Sequence, residues 1–393
     1  MPEYLEPGVY VEETSFRAPS IEGVGTTTCA FVGPTREGPP PGVAPPLLTS
    51  SADFERSYGD AGDFAFAGGT TPHYLAHGVH AFFANGGRRL YVLRVPLAPA
   101  AAGQPRAPQA EDYAAALAGL DALGDVRTFA APGASAWCTD AAALLRVLAD
   151  HARRARTWRF AVLDPPPALD SDGIRALRES VDSAHAALYY PWVVTADQDA
   201  TGAPRRLLQP PSGFICGIYA RNDIQRGVHA TPANQTVASA LGFERPINAQ
   251  QQERLNPFGV NCLRSFFGHG HRVWGARTVS SDPEWKYVNV RRYFDYLEAS
   301  IDRGLQWVAF EANGPRLWAN VAGVLQDFLY RQWQDGALSG NRPEAAYFVR
   351  CDASTMTPDD IAQGRVVCLV GVALLKPGEF TIFRASCASA ATD

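Results

Sequence analysis

Cys262, His269 and His271 stand close together in the chain, and thiolates and imidazoles are the groups that hold zinc. The spacing argues for something simpler. Only one residue separates the two histidines and a fourth ligand would have to come from elsewhere, so His269 reads more simply as a turn residue than as a ligand. Asp164 follows the expected strand Arg159-Phe160-Ala161-Val162-Leu163, at the end of which an α/β protein could place a metal ligand or a base. Three prolines follow it, so it reads more simply as a loop initiator. Gly33-Pro34-Thr35-Arg36-Glu37-Gly38 lacks both the G-x-G-x-x-G spacing and the G-K-[ST] lysine that phosphate loops require. There is no G-x-S-x-G elbow. Asp359 and Asp360 follow Thr357-Pro358, and carboxylates in a first helical turn complement the helix dipole. No nucleophile is paired with a base, so the sequence points to no enzyme, no cofactor and no metal.

The elements that would position these residues alternate over the first part of the chain. Strands are expected at Thr28 to Val32, Leu90 to Leu93, Val126 to Ala130, Arg159 to Leu163 and Trp192 to Val194. Helices are expected between them at Tyr74 to Asn85, Glu111 to Leu123, Asp140 to Thr157 and Ile174 to Ala187. That rhythm predicts an α/β domain over residues 23–252 with a largely parallel sheet. Pro96 to Pro108 reads as a linker or exposed loop, and Gly213 to Arg221 as a further helix.

Residues 253–393 read as an α+β domain. Strands are expected at Gly259 to Ser265, Val273 to Val279, Trp307 to Phe310, Ala346 to Cys351, Val366 to Leu374 and Phe380 to Phe383. Asp282 is expected to cap a helix whose first position is Pro283 and whose apolar stripe is Val290, Phe294, Leu297 and Ile301. A second long helix should start at Pro315, with the stripe Leu317, Val321, Val324 and Phe328, and stop near Gly336. Residues 1–22 form an arm in which Val9-Tyr10-Val11-Glu12 alternates like a strand. So short a strand needs a sheet edge, in its own chain or in a neighbour.

Composition sets the outer bounds. The 393 residues suffice for two or three domains, and 46% hydrophobic with 19% charged residues describes an ordinary globular protein. A net charge of -5 gives no electrostatic footprint for nucleic acid. No apolar run approaches the ~20 residues that span a bilayer, and the start shows no secretory pattern. The seven cysteines are scattered without a C-x-x-C and read as reduced, mostly buried thiols. Asn234-Gln235-Thr236 matches a glycosylation sequon, which means little without secretion. Lys286 and Lys376 are the lysines among 35 basic residues, and arginine's planar fork suits protein interfaces.

One block carries more than composition. Trp274-Gly275-Ala276-Arg277-Thr278, followed by Asp282-Pro283-Glu284-Trp285, Lys286, Tyr287 and Val288-Asn289-Val290-Arg291-Arg292, resembles the signature of contractile tail sheath proteins. These build phage tails and phage-tail-like injection particles. Further tags keep the same order: Pro210-Pro211-Ser212-Gly213, Ile218 to Asp223, Arg226 to His229, Gly259-Val260-Asn261, Phe310 to Asn313, Phe348 to Asp352 and Lys376 to Phe380. Pro7-Gly8-Val9-Tyr10-Val11-Glu12-Glu13 fits at the other end.

The resemblance implies a structural subunit that polymerises with itself around an inner tube protein and meets baseplate and terminator proteins. It implies assembly in the cytoplasm of a producing bacterium, with no nucleic acid and no membrane insertion. It implies that residues 1–22 pack with a neighbour's C-terminal domain, and that terminal strands containing Val9, Tyr10 and Val11, and Phe380, Thr381, Ile382 and Phe383, are exchanged between subunits. It also implies that Asp359 and Asp360 face the tube. Arg291 and Arg292 are expected at contacts between subunits. Sheaths of type VI secretion are generally built from two chains, whereas arm, body and terminal strand stand together here. The residues alone leave one other reading, an α/β enzyme or ligand-binding protein, which predicts a discrete oligomer rather than tubes of indefinite length.

Overall fold

The computed structural model describes residues 20–66, 69–97, 105–198, 203–376 and 378–389. The chain divides into two compact units, one of residues 23–299 and one combining 20–22 with 300–389.

The strands of the larger unit are β1 (Thr28–Gly33), β2 (Phe64–Phe66), β3 (Gly69–Thr71), β4 (Arg89–Arg94), β5 (Thr128–Ala130), β6 (Phe160–Leu163), β7 (Ala186–Tyr190), β8 (Val193–Gln198), β9 (Pro204–Gln209), β10 (Gly242–Phe243), β11 (Val260–Phe266) and β12 (Gly270–Val273). Its helices are α1 (Ser51–Tyr58), α2 (Tyr74–Ala84), α3 (Ala110–Leu117), α4 (Ala141–Ala152), α5 (Ser171–Glu179), α6 (Ser212–Arg226) and α7 (Ala249–Leu255), followed by α8 (Val288–Gly304), inside which the division between units falls.

Seven strands form the central sheet in the order β12-β11-β7-β6-β5-β1-β4. All neighbours in it run parallel except β12, which returns antiparallel along β11. Alternate residues of β1 serve opposite cores, as a strand covered on both faces requires. Ala30 and Val32 join Tyr113 and Leu117 of α3 and Leu144 and Leu148 of α4. Cys29 and Phe31 join Leu75, Val79 and Phe82 of α2 and Phe214, Ile218 and Tyr219 of α6. The helices α2 and α6 cross at glycine: a Cβ on Gly213 would lie 2.7 Å from the Cα of Gly78. Small antiparallel sheets, β10-β8-β9 and β2-β3, complete the unit.

In the second unit, α9 (Pro315–Gln334) precedes α10 (Pro343–Ala346), β13 (Tyr347–Arg350), α11 (Pro358–Ala362), β14 (Arg365–Val372) and β15 (Thr381–Ala388). The three strands form one antiparallel sheet with β14 in the middle. Leu317, Val321, Leu325, Phe328 and Leu329 form the buried stripe of α9, so Leu325 takes the place expected for Val324.

The α/β rhythm and the largely parallel sheet are as expected, and Val290, Phe294, Leu297 and Ile301 are all buried. Four readings are corrected. The boundary expected at 252/253 falls instead between Ala299 and Ser300, because β11 pairs with β7 and so completes the parallel sheet. The run Ile174 to Ala187 is not one helix: α5 stops at Glu179 and β7 starts at Ala186. Trp307 to Phe310 is a 3-10 turn rather than a buried strand, with Phe310 87% exposed. Asp282 does cap through its side chain, yet the element it caps is a separate 3-10 turn, Pro283–Trp285, and α8 begins only at Val288.

Candidate assembly surface

Main-chain bonds tie the loop between β12 and α8 to the sheet, from the Trp274 N–H to the Cys262 carbonyl and from the Val279 N–H to the Ala186 carbonyl (both 2.8 Å). The Asn261 side chain adds three more bonds. Asn261 of β11 donates to the carbonyls of Leu188 (3.2 Å) and Arg277 (2.7 Å) and accepts from the Arg277 N–H (2.7 Å). A fully buried amide needs such partners to offset its desolvation. Gly275 makes room for it, since a Cβ there would lie 2.8 Å from the Asn261 Oδ1. Arg277 then reaches the Asn256 carbonyl at 2.9 Å, and the Thr278 hydroxyl donates to the Trp285 carbonyl at 2.7 Å. Ser281 donates its N–H and hydroxyl to Asp182, at 2.8 and 2.5 Å. The Trp274–Thr278 segment is therefore a latch rather than a reactive loop.

Arg291 and Arg292, expected at the surface, lie inside the chain. The guanidinium of Arg292 makes a two-pronged pair with Asp223 of α6, at 3.0 and 2.6 Å, and its side chain is 4% exposed. It also stacks 4.7 Å from the Tyr219 ring. Burial opposes its charge, but the Asp223 carboxylate outweighs that and holds its pKa above the ordinary value. Arg291 bonds Asp295 (3.1 Å from Nε) and Glu298 (3.0 Å) and lies over the Trp285 ring at 4.3 Å. Burial pushes the Asp295 carboxyl up, yet Arg291 and His185 bring it below the usual range. Both guanidiniums are thus engaged by carboxylates of their own chain. The sequence signalled a stripe and a charge excess on α8, and nothing in it paired Arg292 with a residue on α6.

Asp164 is satisfied in a structural role. Its two carboxylate oxygens accept from the Ser212 N–H (2.8 Å) and hydroxyl (2.5 Å), capping α6, whose own N-cap is Pro211. Full burial raises its pKa to about 7 despite those bonds. Cys262 is buried within β11, while farther along the same β11–β12 hairpin the Nδ1 of His271 meets the Ser265 hydroxyl at 2.8 Å. Among the described residues no cluster of three His, Cys, Asp or Glu side chains is placed to hold a metal ion.

The smaller unit holds the elements expected to mediate assembly. β15 pairs with β14 over its whole length, from Arg365 opposite Ala388 to Val372 opposite Thr381. It thus contains Thr381, Ile382 and Phe383 but begins one residue after Phe380, whose ring meets Phe348 edge-on at 5.2 Å. On β15, Ile382, Arg384, Ser386 and Ala388 are exposed, alternating with half-covered residues. Its outer side is an edge of the sheet. Val9, Tyr10 and Val11 lie outside the described residues. In α11, Thr357 and Asp360 form a reciprocal capping box, and Asp360 also pairs with Arg365 at 2.7 Å. Asp359 is exposed in the same turn.

Two family models match in tandem: the phage tail sheath protein central domain over residues 106–279 and the phage tail sheath C-terminal domain over 280–387. Among solved structures, the helical sheath of the anti-feeding prophage in its contracted state is 31% identical, with a TM-score of 0.74, over 96% of this chain and 98% of that one. The contracted sheath complex of the extracellular contractile injection system PVC is 28% identical, with a TM-score of 0.75, over 98% of each chain. A prophage major tail sheath protein of Pseudomonas aeruginosa strain UCBPP-PA14 is 26% identical over 229 residues. The chain spans 57% of that relative's length, and 30% of the tail sheath protein of Burkholderia phage BcepMu, to which it is 32% identical over 151 residues.

Proposed function

The chain belongs to the phage tail sheath family, and we propose that it is the subunit of a contractile sheath that polymerises helically around an inner tube. On a signal from a baseplate, the sheath shortens and drives the tube through a target envelope. Contraction draws its energy from surface buried between subunits and needs no nucleotide. The observation that carries this reading is the likeness, over nearly the whole chain, to subunits of two contracted sheaths. The family and these neighbours are structural sheath proteins, and the strand-end carboxylate that an enzyme would use, Asp164, is committed to capping α6.

The connection between subunits is strand exchange. In the free chain β15 lies on the edge of its own β14. In the assembly, a neighbour's Thr381 to Phe383 segment takes that place, and the arm with Val9, Tyr10 and Val11 adds to a further edge. Main-chain hydrogen bonds give such additions their affinity, and alternate side chains fix their register. Asp359 faces the tube from α11, whereas Asp360 is held by its cap and by Arg365. Terminator and baseplate proteins close the two ends. Assembly takes place in the cytoplasm of the producing bacterium, as part of a phage tail or a released particle.

Negative-stain imaging of the purified protein tests the polymer: tubes of indefinite length are expected, and a discrete closed oligomer with a bound small molecule would favour the α/β enzyme reading. Removal of Met1 to Ser15 should leave a folded monomer that forms no sheath. Normal sheaths from that deletion would refute exchange of the arm.

A further inference from the structure

Two buried cysteines face each other across the sheet of the smaller unit. Arg350 of β13 stands opposite Leu369 of β14, so one step along the antiparallel ladder Cys351 stands opposite Cys368. Their sulfur atoms approach to 2.6 Å, although the two residues are 17 positions apart in sequence. Opposed residues on antiparallel strands hold their Cβ atoms about 4.5–5.5 Å apart, at the upper edge of the ~3.5–4.5 Å that a disulfide spans. Cys368 is 1% exposed and Cys351 is 8% exposed, next to the exposed turn Asp352-Ala353-Ser354.

We propose that Cys351 and Cys368 are an oxidisable pair that closes to an intramolecular disulfide when the protein meets a low-molecular-weight disulfide. The Cys351 thiolate attacks one sulfur of that molecule, forming a mixed disulfide and expelling one small thiolate. The Cys368 sulfur then attacks the Cys351 sulfur and expels the second. The protein loses two protons and two electrons, and the small disulfide is reduced to two thiols. Cys351 is the entry point because it borders solvent, whereas Cys368 is sealed within the sheet. The closed loop contains α11, which the crosslink would tether to β14.

Two other arrangements compete. Cys387 on β15 lies opposite Val366, on the same sheet face as Cys368 but on the diagonal, where Cα atoms stand about 7–8 Å apart and bridging requires backbone movement. Cys29 and Cys216 also meet, between β1 and α6, but both are sealed in the core of the larger unit at 1% and 0% exposure.

The test uses the full chain. Wild-type protein is treated with glutathione disulfide, denatured, alkylated and weighed, and its peptides are mapped without reduction. The expected result is a chain lighter by two hydrogens that alkylates at all but two of its seven cysteines, with a single cross-linked peptide joining Cys351 to Cys368. Cys351→Ser and Cys368→Ser should each abolish that product, and Cys387→Ser should leave it unchanged. Full alkylation of all cysteines, a glutathione adduct that never resolves, or a link through Cys387 or between Cys29 and Cys216 would overturn the proposal. The peptide map on wild-type protein decides the question even if a serine variant fails to fold.

Discussion

The guanidinium of Arg292 lies 2.6 and 3.0 Å from the two carboxylate oxygens of Asp223, with both side chains withdrawn from solvent and the Tyr219 ring beneath the cation. This pair joins α8 to α6 through the interior. Removing one partner strands the other as an uncompensated buried charge. Arg292→Met or Asp223→Leu alone should each cost about 3–5 kcal/mol. The double variant should recover much of that loss, because an apolar pair of similar volume carries no charge to desolvate. Denaturant unfolding of the four proteins closes the cycle, and additive costs would show that the two side chains act independently.

Asp164 gives the protein a dependence on pH. Burial raises its carboxyl from 3.8 to about 7 in the folded chain, so between those values the folded state holds a proton that the unfolded state has released. The contribution is fully present below 3.8, falls as pH rises, and is lost above about 7. Asp164→Asn keeps an acceptor for the Ser212 N–H and cannot titrate. Relative to wild type, this variant should gain stability as pH rises through that window, by up to about 4 kcal/mol. Parallel curves of unfolding midpoint against pH for the two proteins would count against the assignment.

Gly275→Ala tests the latch. The added methyl would lie 2.8 Å from the Asn261 Oδ1 and 3.0 Å from its Cα, and the backbone atom cannot swing away. A loss of about 1–3 kcal/mol is expected from overpacking, with slower-exchanging amides lost first around Arg277. An unchanged melting temperature would mean that the loop accommodates a side chain there.

On α11, the two neighbouring carboxylates separate cleanly. Asp360→Lys should disturb the turn itself, because it removes both the reciprocal cap and the Arg365 partner. Asp359→Lys should leave the fold intact and weaken co-assembly of sheath on tube. Undiminished co-assembly by a folded Asp359→Lys protein would remove the tube-facing role from this position.

Much of the fold was legible because periodicity reports burial. The strand at Val260–Phe266 and the helix at Pro315–Gln334 carry apolar residues at the spacing their surroundings need, and Pro315 marks the latter's start. β7 was misread because Ala186-Ala187-Leu188-Tyr189-Tyr190 is an unbroken apolar run, and only its place between two parallel strands makes it extended. Trp307 to Phe310 misled for the converse reason, since an aromatic-rich run suggests burial even where Phe310 faces water. The signature from Trp274 to Arg292 identified a family, but its physical content lay in partners far along the chain. Asn261 beneath Gly275 and Asp223 beneath Arg292 are contacts across elements, which no local pattern encodes.

The strand order of the large sheet bears on how the protein is made. β11 closes onto β7 with Val260 opposite Leu188, so on a ribosome the fully apolar β7 emerges well before its last partner exists. Until residues near 266 leave the exit tunnel, that edge is open to any passing chain, at a stage when long-range parallel pairing is slow to form. The three-stranded sheet has no such interval, since β13, β14 and β15 follow one another closely. The hazardous period of synthesis is therefore the wait for β11.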